Sequence, residues 1–143
     1  MAVYNLQFDG SSSGDRIPTA SYGHVLYRDG KEIDRGYGLL GRAKNLTSMV
    51  AEYYGLSAGI DSFVRHWNKP CSVLNIYGDC KPLLAAVRQG GKLKSSDILM
   101  LRLKIDQIRS YGIKVNIHWL PRKSNKIAHD LAHFFQESNN QGS

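Results

Sequence analysis

Three carboxylates stand where the pattern of the chain changes: Asp9, Glu52 and Asp79. Asp9 closes a run with β character, Val3, Leu6 and Phe8, and is followed at once by Gly10, three serines and Gly14. An Asp-Gly pair alone is an ordinary turn; it becomes a site when other acids are brought beside it. Asp79 follows the apolar run Ser72–Tyr77, and Glu52 lies one turn into an amphipathic segment. Carboxylates gathered together repel and raise one another's pKa unless a cation neutralises them. Hard oxygen ligands of this kind suit magnesium or manganese. Two such ions roughly 4 Å apart activate a water and stabilise the leaving oxygen of a phosphodiester. The competing reading is three solvated acids at element ends, so the question passes to the elements that carry them.

The stretch 2–14 holds a first strand that ends on Asp9 and breaks into a Gly/Ser loop. Ser21–Tyr27 and Glu32–Leu40 predict two more strands, joined at Arg28-Asp29-Gly30-Lys31, because Asp-Gly between apolar runs is the strongest short hairpin signal. These three form an antiparallel meander, and Gly41–Leu46 follows as a basic loop. From Thr47 the period changes. Met49, Tyr53, Leu56, Ile60, Phe63 and Trp67 mark one face of a helix, which Asn68, Lys69 and Pro70 stop. Ser72–Tyr77 is a buried strand, and Lys81–Gln89 a helix with Pro82 in its first turn and Gly90-Gly91 behind it.

Ser96 or Asp97 caps a further helix striped by Ile98, Leu101, Ile105 and Ile108, closing near Gly112. Ile113, Val115, Ile117 and Trp119 alternate with polar residues as a fifth strand, which Pro121 ends. Ser124 caps a last helix bearing Ile127, Leu131, Phe134 and Phe135, and 138–143 is a polar, frayed tail. A meander followed by β-α-β units makes an α/β fold. Its five-stranded mixed sheet holds a three-strand antiparallel meander plus two parallel strands, flanked by helices. If the first and fourth strands are parallel neighbours, Asp9 and Asp79 lie at adjacent carboxyl ends, where open α/β sheets place ligands.

The 143 residues carry 19 Lys+Arg against 12 Asp+Glu, a net charge of +7. That excess favours a polyanionic partner through steering and counterion release, nucleic acid first and an acidic membrane surface second. A basic chain around an acidic metal cluster is what a nuclease needs. Cys71 and Cys80 fit neither a disulfide framework nor a zinc spacing and read as reduced thiols inside a cell. No signal peptide opens the chain and no apolar run reaches spanning length. The expectation is one free-standing domain over 1–143, cytoplasmic, monomeric and without membrane contact.

Four motifs come in order: F-D-G-S at Phe8–Ser11, T-S-x-x-A-E at Thr47–Glu52, Y-G-D at Tyr77–Asp79, and N-K-I-A-H-D-L-A at Asn125–Ala132. Each alone is short. As an ordered set on a β-β-β-α-β-α-α-β-α pattern they resemble type 1 ribonuclease H, from Val3 to about Phe135. The resemblance implies a ribonuclease H-like fold that hydrolyses the RNA strand of RNA/DNA hybrids, leaving 5′-phosphate and 3′-hydroxyl ends. It implies two Mg2+ ions, with Mn2+ as an alternative, held by Asp9, Glu52, Asp79 and the residue in the slot of His129, with Gly10 beside them. It implies substrate contacts from Gly10, Ser11 and Ser12 to ribose 2′-hydroxyls, the groups that distinguish RNA from DNA. Thr47 and Ser48 would hold a phosphate of the DNA strand, and Arg122 and Asn125 would also face substrate.

The chain departs from that family in three places. The fourth acidic ligand normally follows the Ala of the last motif; here His129 fills that slot and Asp130 comes one place later. The ungapped alignment of Asn125, Ala128, Leu131 and Ala132 assigns the slot to His129. The expected consequence is altered binding of the second ion, tilted toward manganese; a hybrid-binding module with impaired catalysis is the alternative. Many relatives carry a histidine in the loop before the last helix, whereas this loop runs Leu120-Pro121-Arg122-Lys123-Ser124. Arg122 can act there electrostatically but not as a proton shuttle. The family's basic protrusion is reduced to Gln89–Ser95, where Lys92 and Lys94, with Arg88, Arg102 and Lys104 nearby, keep positive charge. Finally, His129-Asp130-Leu131-Ala132-His133 nearly spells a helical zinc motif, but no third ligand is evident in the sequence. His24, His66 and His118 read as structural.

Overall fold

A computed structural model of the chain describes residues 1–68, 72–89 and 96–141. The meander is β1 (Val3–Ser12), β2 (Thr19–Arg28) and β3 (Lys31–Arg42). The β2–β3 turn places Asp29 and Gly30 at φ 49° and 84°, the doubly positive geometry that a two-residue hairpin requires. Asp29 also accepts the Val3 N–H at 2.9 Å through its side chain, tying the hairpin tip to the start of β1. Then follow α1 (Ser48–His66), β4 (Val73–Gly78), α2 (Lys81–Gln89), α3 (Ser96–Ser110), β5 (Lys114–Trp119) and α4 (Lys126–Gln141). The sheet order is β3-β2-β1-β4-β5, with β1–β2 and β2–β3 antiparallel and β1–β4 and β4–β5 parallel. This is the mixed sheet that the pattern predicted. Among the described residues no helix is long and apolar enough to cross a membrane.

Alternation along β1 sends Tyr4, Leu6 and Phe8 into a fully buried core with Leu56, Ile60 and Phe63 of α1 and Leu101 and Ile105 of α3. The opposite alternation sends Asp9 and Ser11 toward α4. α1 lies close on the sheet because glycines admit it: a Cβ on Gly55 would stand 2.7 Å from the Asp9 carbonyl, and one on Gly59 2.7 Å from Leu6. Its buried face is therefore Glu52, Gly55, Leu56, Gly59, Ile60 and Phe63. Met49, expected on that face, is exposed, and Trp67 is the C-cap, packed at the edge of the core.

Four sequence expectations are corrected. β1 does not end on Asp9 but runs three residues further, paired with β2 through Ser12↔Ala20. β3 takes in Gly41 and Arg42, which the pattern placed in a loop. Ser124 is not a helix cap: it ends a 3-10 turn over Arg122–Ser124, and Asn125 stands immediately before α4. The stripe of α4 is not Ile127 and Phe134, which are 37% and 48% exposed, but Asn125, Ala128 and Ala132, all fully buried. The reason is distance. A Cβ on Gly23 of β2 would lie 2.5 Å from Leu131 and 2.8 Å from the Ala128 carbonyl and the Ala132 nitrogen, so only small side chains fit between this helix and the sheet. The backbone of α4 continues to Gln141, into the stretch expected to fray. Pro70, Lys92 and Lys94 lie outside the described residues, as does the side chain of Phe135.

Candidate active site

The geometry of the site follows from where two ladders stop. The parallel pairing of β1 with β4 ends at Gln7↔Tyr77, while the antiparallel pairing of β1 with β2 continues past Asp9. Beyond Gln7, β1 therefore has a neighbour on one side only. Asp9 sits in this notch, and Asp79, just past the end of β4, faces it. Glu52 reaches the same place from α1, because Gly10 allows backbone contact. A Cβ there would meet the Glu52 nitrogen at 2.2 Å and the Ala51 carbonyl carbon at 2.3 Å. Thr47 starts that helix, accepting the Val50 N–H at 3.3 Å.

One carboxylate oxygen from each of Asp9, Glu52 and Asp79 lies within 4.8 Å of the other two. Asp9 and Glu52 are 3% and 6% exposed, so water screens them poorly. Burial, above all, drives the Glu52 carboxyl up to about 10, reinforced by its hydrogen bond to Asp9 and the charges of Asp9 and Asp79; the Gly10 N–H works the other way. Asp79 is raised as well, by burial first and by Asp9 next, with Arg122 opposing. Among the described residues, Glu52 Oε2 and Asp79 Oδ2 are buried with no hydrogen-bond partner. Buried, mutually repelling acids with orphaned oxygens are stabilised by a cation, and the donor set is all oxygen. These residues fit one or two hard divalent ions.

The remaining residues singled out in the sequence fall into groups. His129 lies at the rim with Nδ1 3.0 Å from Asp9 Oδ2, whereas Asp130 points away and pairs with Lys126 at 2.9 Å. Ser11 contacts His133 Nδ1 at 3.1 Å, and Ser12 donates to the Leu46 carbonyl at 2.9 Å. Thr47 and Ser48 are exposed at the start of α1. Arg122 is exposed, with Nε 4.0 Å from Asp79 Oδ2. Asn125 is the exception: it is fully buried, too deep to meet a substrate, and its Nδ2 donates to the Phe8 carbonyl at 2.8 Å. It is a positioning residue that pins the start of α4 to the strand bearing Asp9. Arg88 donates to the Ile117 carbonyl, and Lys104 is held by Ser57 at 3.1 Å and Asp61 at 2.9 Å, so both serve the fold. His24 is buried, and His118 stacks on Tyr77.

Two things escaped the sequence reading. The pairing of His133 with Ser11 had no sequence signal, since Ser11 lies 122 positions earlier. Asn125 as a buried strut had one: a polar residue three and seven positions before two small residues, Ala128 and Ala132, marks the close face of a helix.

Sheet order and the carboxylates gathered at the β1–β4 notch define a ribonuclease H-like protein. More particularly, residues 7–135 match the reverse transcriptase-like family, and the chain belongs to it. It is 32% identical over 129 residues to the bifunctional protein Rv2228c of Mycobacterium tuberculosis. That alignment takes in 89% of this chain and 34% of the relative, so the chain spans about a third of the length of the curated relatives it matches. The N-terminal RNase H domain of Rv2228c superposes with a TM-score of 0.80 at 27% identity, covering 99% of both chains. RNase H1 of Halobacterium salinarum shares the fold at a TM-score of 0.76 and 23% identity, over 95% of this chain and 98% of that one. LC11-RNase H1, solved in complex with an RNA/DNA hybrid, shares it at 0.72 and 18%, over 93% and 94%.

Proposed function

We propose that this chain is an endoribonuclease that hydrolyses the RNA strand of RNA/DNA hybrids. The observation that carries the reading is the convergence of Asp9, Glu52 and Asp79 within 4.8 Å, with buried oxygens that accept no hydrogen bond among the described residues. Mg2+ or Mn2+ would be held there by these three carboxylates, with His129 at the second ion and the Gly10 backbone alongside. Bound ions of this kind supply a water nucleophile at neutral pH and charge neutralisation at the leaving oxygen, giving 5′-phosphate and 3′-hydroxyl ends.

The chain's own residues do the rest. Asp9 and Glu52, buried between β1 and α1, hold their carboxylates beside the partly exposed Asp79. Arg122, exposed beside Asp79, attracts a phosphate to the rim. Exposed Thr47 and Ser48 offer hydroxyls at the start of α1, where backbone N–H groups favour a phosphate. The net charge of +7 speeds encounter with a polyanion.

A labelled RNA/DNA hybrid incubated with Mg2+, then Mn2+, tests the reading. Cleavage is expected in the RNA strand, and Asp79→Asn is expected to abolish it. Binding of the hybrid with no cleavage under either ion would instead make this a hybrid-binding module. His129→Asp is expected to raise Mg2+-dependent cleavage relative to Mn2+; Asp130→Ala abolishing cleavage while His129→Ala does not would move the fourth ligand to Asp130.

A further inference from the structure

The sequence offers two histidines one helical turn apart, His129 and His133, and no third ligand. Folding supplies one. Asp9 of β1, 120 positions from His129, comes to lie against that turn of α4. One ligand atom from each of Asp9, His129 and His133 lies within 4.8 Å of the other two. The two imidazoles are 3.9 Å apart between centroids and inclined by 55°. Both are partly exposed, so an ion can enter. Ser11 Oγ, 3.1 Å from His133 Nδ1, fixes the orientation of that ring, as outer partners do for metal-binding histidines.

We propose that Asp9, His129 and His133 form a site for a borderline transition ion, zinc or cobalt, distinct from the all-carboxylate site but sharing Asp9 with it. The distinction is chemical. Two imidazoles and one carboxylate favour zinc, cobalt and nickel, whereas magnesium prefers oxygen and keeps its waters. The rim therefore carries two adjoining sites of opposite preference, with Glu52 and Asp79 on the hard side and His129 and His133 on the borderline side. A helical His pair with a carboxylate from another element and an open position is a recognised set for such ions. The assignment deepens the proposed function at its second ion position, yet it holds or fails without any nucleic acid present.

The test is titration of the metal-free full chain with Co2+ in excess Mg2+, read by visible absorption, with Zn2+ competition followed by calorimetry. One Co2+ per chain is expected, with bands of a nitrogen-ligated ion that excess Mg2+ does not erase. His133→Ala should weaken cobalt binding about a hundredfold, and Ser11→Ala about tenfold, the range for loss of an outer partner. Asp130→Ala should leave binding unchanged. The double variant Glu52→Gln/Asp79→Asn should lose Mg2+ binding and keep Co2+. Unaltered cobalt affinity in His133→Ala and in His133→Gln, each checked for native circular dichroism, would overturn the site, as would its loss to excess Mg2+. Cobalt bound as expected with no hybrid cleavage would remove the nuclease reading and leave this site standing; cleavage by a chain whose cobalt binding ignores His133 would do the reverse.

Discussion

α1 and α4 cover opposite faces of the sheet and both bring side chains to Asp9, but they are built differently. α1 joins a large apolar core through Leu56, Ile60 and Phe63 and delivers a buried carboxylate, Glu52. α4 meets the sheet through Ala128 and Ala132 and is pinned by the polar Asn125; it delivers His129, a partly exposed imidazole. Glycines in the strands make both approaches possible, Gly10 under α1 and Gly23 under α4. The comparison teaches where the need for a cation resides. On the α1 side burial and like charge leave a carboxyl that must hold either a proton or a metal ion. On the α4 side the helix contributes a partly exposed imidazole rather than a buried carboxylate, so it makes no such demand.

The sharpest break is Glu52→Gln, which keeps the shape and removes the charge. Hybrid cleavage is expected to fall by about a thousandfold, or ~4 kcal/mol of transition-state stabilisation, measured as single-turnover rate at saturating Mg2+. The same side carries the pH signature. With Glu52 raised to about 10 from an ordinary 4.5, its folded state favours the proton. Its contribution to the stability of the metal-free protein is complete below pH 4.5 and is lost as pH rises through about 10. Metal-free protein should thus lose stability across neutral pH as alkalinity increases, and saturating Mg2+ should flatten that slope. Calorimetry at pH 7 in buffers of differing ionisation enthalpy should show release of about one proton with the first ion, and none from Glu52→Gln.

Gly10→Ala and Gly23→Ala separate the helices by packing. Each forces a Cβ into backbone or an adjacent side chain and should cost about 3 kcal/mol in chemical denaturation. Only the first displaces Glu52, so Mg2+ affinity should drop in Gly10→Ala and hold in Gly23→Ala; equal losses would mean that both helices move together. Asn125→Ala is the mildest, about 1–3 kcal/mol from leaving the Phe8 carbonyl unpaired, with a larger effect on catalytic rate than on hybrid KM.

Much of this was legible before folding. The Asp-Gly hairpin, the α3 stripe and the alternation of β5 rest on local rules, and the buried residues Ile98, Leu101, Ile105 and Ile108 lie where the period put them. The pattern misled where packing distance overrode hydrophobicity. Ile127 and Phe134 read as core because of their chemistry, but the α4 interface is too narrow for them. Asn125, which the family resemblance placed against substrate, is fully buried and braces the Phe8 carbonyl instead.

By itself, then, the sequence determined which side chains could do chemistry and in which elements they ride, since residue type and local period are properties of short stretches. Tertiary structure alone decided that β1 outruns β4 at Gln7, that Glu52 loses its water, and that Asp9 stands between a carboxylate pair and a histidine pair. Those outcomes depend on strand register and interhelix distance, which no window of neighbouring residues contains.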